Sequence, residues 1–414
     1  SSTTRLTQQA RLNYNGNGFT VRGEVLQYEP IAGGTESYQK MPQIRFDGGH
    51  YFDIADTELI GDLMADYTYF DHRNDNIAKG GRLDLMPSLA YDWRRSWGFV
   101  KPKGTLRYTS YDLKDWNYNG QSIDSIDRTT ATFSLDSGLI FERDSSWFGD
   151  SAVQTLEPRL FYVFTPEENQ DDIPLFDTSY YTFNAASLFR ENRFTGADRI
   201  GDANQMTLAV SSRFISEQTG RQYLLATLGT IAYFEDRKVQ LNPASAAETS
   251  LNQQNNSSYV MALQSAPANN WIADAGLQMD EEFADVEKGS ARIKYSTPQR
   301  HLFSARYEYD NTVTPENEYA KISAYWPVAY NTRLIGHSYY SLSENEAVET
   351  LAGLEYGSSC CWRIRALARD YRVDADENNL SFMLQLELSG FTQIGDDIDG
   401  LLEDTMEGFV RESY

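Results

Sequence analysis

Apolar and polar residues alternate along almost the whole chain. From Leu380 to Gly390 the even positions carry Leu380, Phe382, Leu384, Leu386 and Leu388, with Ser381, Met383, Gln385, Glu387 and Ser389 between them. A period of two sends successive side chains to opposite faces, so this stretch predicts a strand with one greasy face. The preceding segment sets Trp362, Ile364, Ala366 and Ala368 against Arg363, Arg365 and Arg369, interrupted by Leu367. Before that, Val348, Thr350, Ala352, Leu354 and Tyr356 oppose Glu349, Gly353 and Glu355. Similar segments recur from residues 6–14 to 332–342, about nineteen strands in all. A helical period shows only in the acidic tail after Phe391. A soluble sandwich would cover the apolar faces with a complementary helix or second set of strands, and the chain offers only more of the same pattern.

The connections alternate in length. Short turns fall at Asn15-Gly16-Asn17, Gln218-Thr219-Gly220, Pro267-Ala268-Asn269, Pro298-Gln299-Arg300 and Ser358-Ser359, and between them lie long polar loops at 29–41, 71–81, 113–127, 166–202 and 235–256. Short turns on one side and long loops on the other are the habit of transmembrane antiparallel β-barrels, whose short turns face the periplasm. The expected fold class is therefore all-β, with residues 1–390 forming a barrel and 391–414 a periplasmic or lumenal tail. Counting strand directions back from a periplasmic Ser358-Ser359 turn starts the first strand outside the cell. With an even strand total and both ends periplasmic, an odd number of strands is expected to precede Ser1.

Composition narrows the picture. Only 41% of the 414 residues are hydrophobic, yet there are 27 Tyr, 21 Phe and 7 Trp. The mean hydropathy is −0.54. No run of about 18 apolar residues exists, which excludes helical membrane spans but not strands, and ring-rich girdles suit a barrel at the membrane interfaces. A formal charge of −24 argues against nucleic-acid binding, which needs clustered Lys and Arg. Catalysis finds no assembled constellation. His50, His72, His301 and His337 are scattered, His337-Ser338 would point to opposite faces of a strand, and no spacing suggests a metal site. No enzyme activity and no cofactor is expected.

Cys360 and Cys361 are the two cysteines. Adjacent Cα atoms lie about 3.8 Å apart, whereas a disulfide usually wants about 4.4–6.8 Å, so the pair is expected either to remain as thiols or to find partners upstream of Ser1. The segment Tyr356-Gly357-Ser358-Ser359-Cys360-Cys361-Trp362 resembles the LptD family of outer-membrane lipopolysaccharide-assembly proteins. So do Phe141-Glu142-Arg143-Asp144 followed by Thr155-Leu156-Glu157-Pro158-Arg159, and Leu188-Phe189-Arg190 leading through Gly196 to Asp198-Arg199-Ile200 and Ala203-Asn204-Gln205. The resemblance implies a barrel of about twenty-six strands, of which an N-terminal portion and a periplasmic jellyroll are missing here. It implies disulfides from Cys360 and Cys361 to absent upstream cysteines, and a lateral gate at the last strand, through Leu380, Phe382, Leu384, Leu386 and Leu388. Implied partners are lipopolysaccharide as substrate, an LptE-type lipoprotein plug, the periplasmic lipopolysaccharide-transport bridge, outer-membrane lipids and the barrel-assembly machinery.

The longest loop mixes Arg190, Arg193, Asp198 and Arg199 with Phe189, Phe194 and Ile200, which suggests a segment folded back into the lumen. Contact with a plug or a passing sugar is the functional reading, and closure of the barrel mouth the plainer one. Arg363 and Arg365 face inward and are candidates to meet plug carboxylates. A passive porin would share the strands and the polar lumen but leave the cysteines unexplained.

Overall fold

A computed structural model describes residues 5–30, 36–54, 57–74, 76–358, 361–373, 378–388 and 390–411. It is 65% strand and 5% helix, and 21 strands belong to one antiparallel sheet. Two more strands than the expected number arise simply. Beyond Ile140, Ser125–Leu139 is followed by a separate strand, Phe141–Trp147, and the tail adds Thr392–Gly395. The chain divides into two compact units: residues 1–141, 157–210 and 229–257 form the first, and 142–156, 211–228 and 258–414 the second.

In the first unit the long strands form an antiparallel meander. Arg5–Gly16 pairs with Phe19–Pro30, which pairs with Gln39–Ile54, and the ladder continues through Thr57–Asp71, Lys79–Arg95, Gly98–Lys114 and Ser125–Leu139 to residues 159–164. Pro42 lies where the register shifts between Lys40 and Gln43, a place where a strand tolerates the missing N–H. The strand Gly98–Lys114 shows how the faces divide. Val100, Leu106 and Tyr108 are exposed, while Thr105, Thr109 and Tyr111 are buried. Across the unit Leu12, Ile44, Leu63, Leu89 and Phe133 are likewise exposed while Asp66, Thr68, Arg82, Asp84 and Arg128 are buried. This inverts the order of a soluble sheet, and an apolar surface repeated over so many strands needs an apolar medium.

The second unit is built the same way. Antiparallel neighbours run from Tyr259–Ser265 through Trp271–Met279, Val286–Ser296, Leu302–Asp310, Asn317–Ala329, Thr332–Ser341, Glu346–Gly357 and Trp362–Arg372 to Asn378–Leu388. Thr392–Gly395 then folds back on Asn378–Leu388. Helix Ile398–Thr405 follows, begun by Asp397, whose side chain accepts from the Gly400 N–H. Ile398, Leu402, Met406 and Phe409 are buried against Leu302, Tyr325, Ile335, Leu351 and Leu367. Those strand residues stand on the otherwise polar face, which explains why Leu367 breaks the pattern of Arg363, Arg365 and Arg369.

Candidate functional site

The first unit's site is built from strands and one long connection. Residues 166–202 lie on the polar face of the strands rather than extending away from them. Apolar contacts seat the connection: Ile173 and Phe176 are buried with Phe70, Ala78, Tyr111 and Leu113, and the Phe70 and Phe176 rings stack 4.5 Å apart. Asp198 is the polar hub. It accepts from Arg82 at 2.6 Å, from the Tyr111 hydroxyl at 3.2 Å, and from the backbone N–H groups of Phe176 and Asp177 at 2.8 and 3.0 Å. Arg82 also donates to Asp177 at 2.7 Å, and Lys40 to Asp177 at 3.1 Å. Burial alone would raise the Asp177 pKa, but the Arg82 and Lys40 charges outweigh it and hold the carboxyl below its usual range. Arg128 donates to Gln170 at 2.7 Å and to the Ala197 carbonyl at 2.5 Å. Gly196 makes the corner possible, since it has φ +65° and a Cβ there would sit 2.6 Å from Asp177 Oδ1.

Three of the four expected loop residues are therefore consumed in holding the loop. Besides Asp198, Arg199 donates to the carbonyls of Gln240 and Ile173 at 3.0 and 2.8 Å, and burial pushes its pKa down. Arg193 donates to the Asp202 carboxylate at 2.9 Å. Arg190 differs: it is exposed, stacks 3.9 Å over the Tyr181 ring, and lines a cavity of about 710 Å³. Lys101, Lys103, Arg107, Asp136 and Glu191 line the same cavity beside Tyr181, Phe189 and Phe194. Many of these charges are already paired, Arg107 with Asp84 at 2.7 Å and Lys103 with Glu191 at 3.1 Å. Such a surface offers donors, acceptors and ring faces to a polar guest.

Sequence reasoning did not identify Arg82, Arg128, Tyr111 or Asp177. Their chain separation from the loop hid them, Arg82 and Asp198 being 116 residues apart.

The second unit holds the other candidates. Arg365 is fully buried and donates to Glu355 at 2.6 Å, Gln385 at 2.9 Å and Asp399 at 2.8 Å. Glu355 also accepts from the Tyr325 hydroxyl at 2.8 Å and from Arg333 at 2.6 Å. Arg363 pairs with Glu387 at 3.2 Å. Both arginines thus have partners within the chain, and Arg365 reaches the C-terminal helix. Arg292 and Arg306 reach that tail too, through Glu407. His337 meets Ser323 rather than its neighbour Ser338.

On the last long strand, Leu380, Phe382 and Leu384 are 60%, 78% and 60% exposed. Leu386 and Leu388 are half-buried where Thr392–Gly395 pairs beside them. Cys361 is disulfide-bonded, while Cys360 lies outside the described residues.

Comparison with known proteins supplies the context for this geometry. The family model described as LptD, LPS transport system D, matches residues 1–332. The chain belongs to the LptD family. It is 34% identical over 419 residues to the LPS-assembly protein LptD of Alkalilimnicola ehrlichii, covering 100% of this chain and 55% of that protein. The LptD of Nitrosococcus oceani is also 34% identical, with 99% and 54% covered. For the LptD of Hahella chejuensis the identity is 33%, with 97% and 51% covered. The chain thus spans about half the length of the curated relatives it matches. Among solved structures, the ferric enterobactin receptor PfeA aligns with a TM-score of 0.42 and 8% identity over 93% of this chain and 71% of that one. The siderophore receptor PirA of Acinetobacter baumannii gives 0.40 and 7%, over 94% and 72%. Membership of the LptD family and the inverted strands identify an outer-membrane chain of the β-barrel class.

Proposed function

We propose that this chain forms the C-terminal part of an LPS-assembly translocon that inserts lipopolysaccharide into the outer leaflet of the outer membrane. No covalent bond changes in this process, so the chain acts as a conduit rather than an enzyme. The carrying observation is the inverted sheet of an LptD-family chain: one face of the strands exposes apolar side chains, and the polar face bears a cavity lined by charged groups. A lipid-linked sugar needs both environments, because its acyl chains favour the first and its saccharide the second. In this reading the edge of Asn378–Leu388 is one side of a lateral gate. Arg190 and its neighbours contact the passing sugar or a lipoprotein plug of the LptE type, and the rest of the full-length protein receives substrate from the periplasmic bridge. The barrel-assembly machinery folds the whole.

Purification of the full-length protein tests this against a passive porin. The translocon reading expects a second polypeptide that stays bound through detergent extraction, poor ion conduction by the intact complex, and lipopolysaccharide captured by a photo-reactive side chain at position 190. Large steady single-channel currents with no lipopolysaccharide captured would favour the porin.

A further inference from the structure

The edge of the last long strand is divided unequally. On one side Asn378–Leu388 pairs along its whole length with Trp362–Arg372. On the other side Thr392–Gly395 covers only Gln385 to Leu388. One further residue is closed by Asp396, whose N–H donates to the Leu384 carbonyl at 3.0 Å while its carboxylate accepts from the Leu384 N–H at 2.8 Å. Main-chain groups alternate in direction along a strand, so the next pairs facing this edge belong to Phe382 and Leu380. Among the described residues, no strand pairs with them there.

What holds this arrangement is the tail. At Gly395 the chain leaves the edge with φ +101°, and a Cβ would lie 2.1 Å from the Leu384 carbonyl oxygen. Helix Ile398–Thr405 follows immediately, with Ile398, Leu402 and Met406 fully buried against the inner face. Asp399 in its first turn is buried and accepts from Arg365 at 2.8 Å and from Gln385 at 3.2 Å. Lifting the return strand would expose this core and leave a buried guanidinium short of a carboxylate, a costly change.

We propose that Asp396, Asp399 and Arg365 are positioning residues that clamp the return strand. They keep Leu384 to Leu388 closed and leave only Asn378 to Met383 as an edge that pairs with, and parts from, another strand. What passes at that edge rests on the insertion reading above, whereas the division of the edge rests on the geometry alone.

Hydrogen exchange of the full-length protein in its native complex reads the division directly. The amides of Leu384, Leu386 and Leu388 are expected to exchange at least about tenfold more slowly than those of Leu380 and Phe382. Asp399→Asn should speed Leu386 and Leu388 and leave Leu380 and Phe382 unchanged, with Asp399→Glu restoring part of the protection. A merely structural defect would instead loosen Trp362–Arg372 as well. Equal exchange along the wild-type edge would overturn the clamp. A second measurement fixes the closed half covalently: Leu386→Cys with Ile394→Cys joins register partners at about the spacing a disulfide needs. Lipopolysaccharide delivery should survive that lock, and its loss would show that the lower half must open. If wild-type protein delivers no lipopolysaccharide, the insertion reading falls while the exchange pattern still judges the clamp.

Discussion

At the residue scale, one buried carboxylate ties a long connection to a wall of strands. Asp198 gathers a guanidinium, a phenol and two backbone N–H groups, so Asp198→Ala strands Arg82 without a full set of acceptors. That change is expected to loosen residues 166–202, seen as rapid limited proteolysis there, whereas Arg190→Ala should leave the protease pattern alone and reduce capture of the polar guest. Asp177 gives the same connection a pH limit. Its carboxyl is held below the usual range, so its contribution is present above the unfolded pKa of about 3.9 and is lost as pH falls through the lower folded value. Trp116 donates to the Asp172 carbonyl at 2.6 Å, so its fluorescence should report loosening below about pH 4 and stay flat from pH 5 to 8. The sequence marked Arg193, Asp198 and Arg199 by their mixture with rings. It did not mark their partners, because the loop meets strands far away in the chain and no local period records that meeting.

At the element scale, period two sufficed for the strands. Each long strand faces an apolar medium on one side, so its alternation is visible. The helices were harder to see. Ala246–Asn252 sits in a stretch expected to be plain loop, although Ser245, whose side chain accepts from the Glu248 N–H, and Glu248 three residues on carry an N-terminal helix signature. The tail helix was legible as a period, but its berth was not: Leu351 and Leu367 look like lapses in a polar face until the helix covers them. Leu402→Ala in that berth should cost about 2–5 kcal/mol, measurable as a lowered denaturation midpoint of the folded protein. On the opposite face, Leu384→Arg is expected to cost about 2–4 kcal/mol at mid-membrane depth, and Leu384→Val much less. Equal folding and insertion of the two variants would show that this face does not meet lipid.

At the scale of the whole molecule, the two units share one logic, with polar groups buried on charged partners and apolar groups turned outward. The family resemblance was legible in short motifs scattered over most of the chain, and the LptD family model confirms it over residues 1–332. Spacing left the cysteine pairing open, and upstream partners for Cys360 and Cys361 come only from the family resemblance. In the full-length protein, disulfides from Cys360 and Cys361 to upstream cysteines are proposed to tether the periplasmic domain. Non-reducing electrophoresis should then show a mobility shift that reductant removes, with either single Ser replacement tolerated and the double replacement not. The most direct test of the central claim is depletion of the full-length protein in cells, followed by fractionation of newly made lipopolysaccharide. The account predicts that it accumulates in the inner membrane and fails to reach the cell surface while uptake of small solutes continues. Normal surface lipopolysaccharide, with only solute uptake impaired, would contradict it.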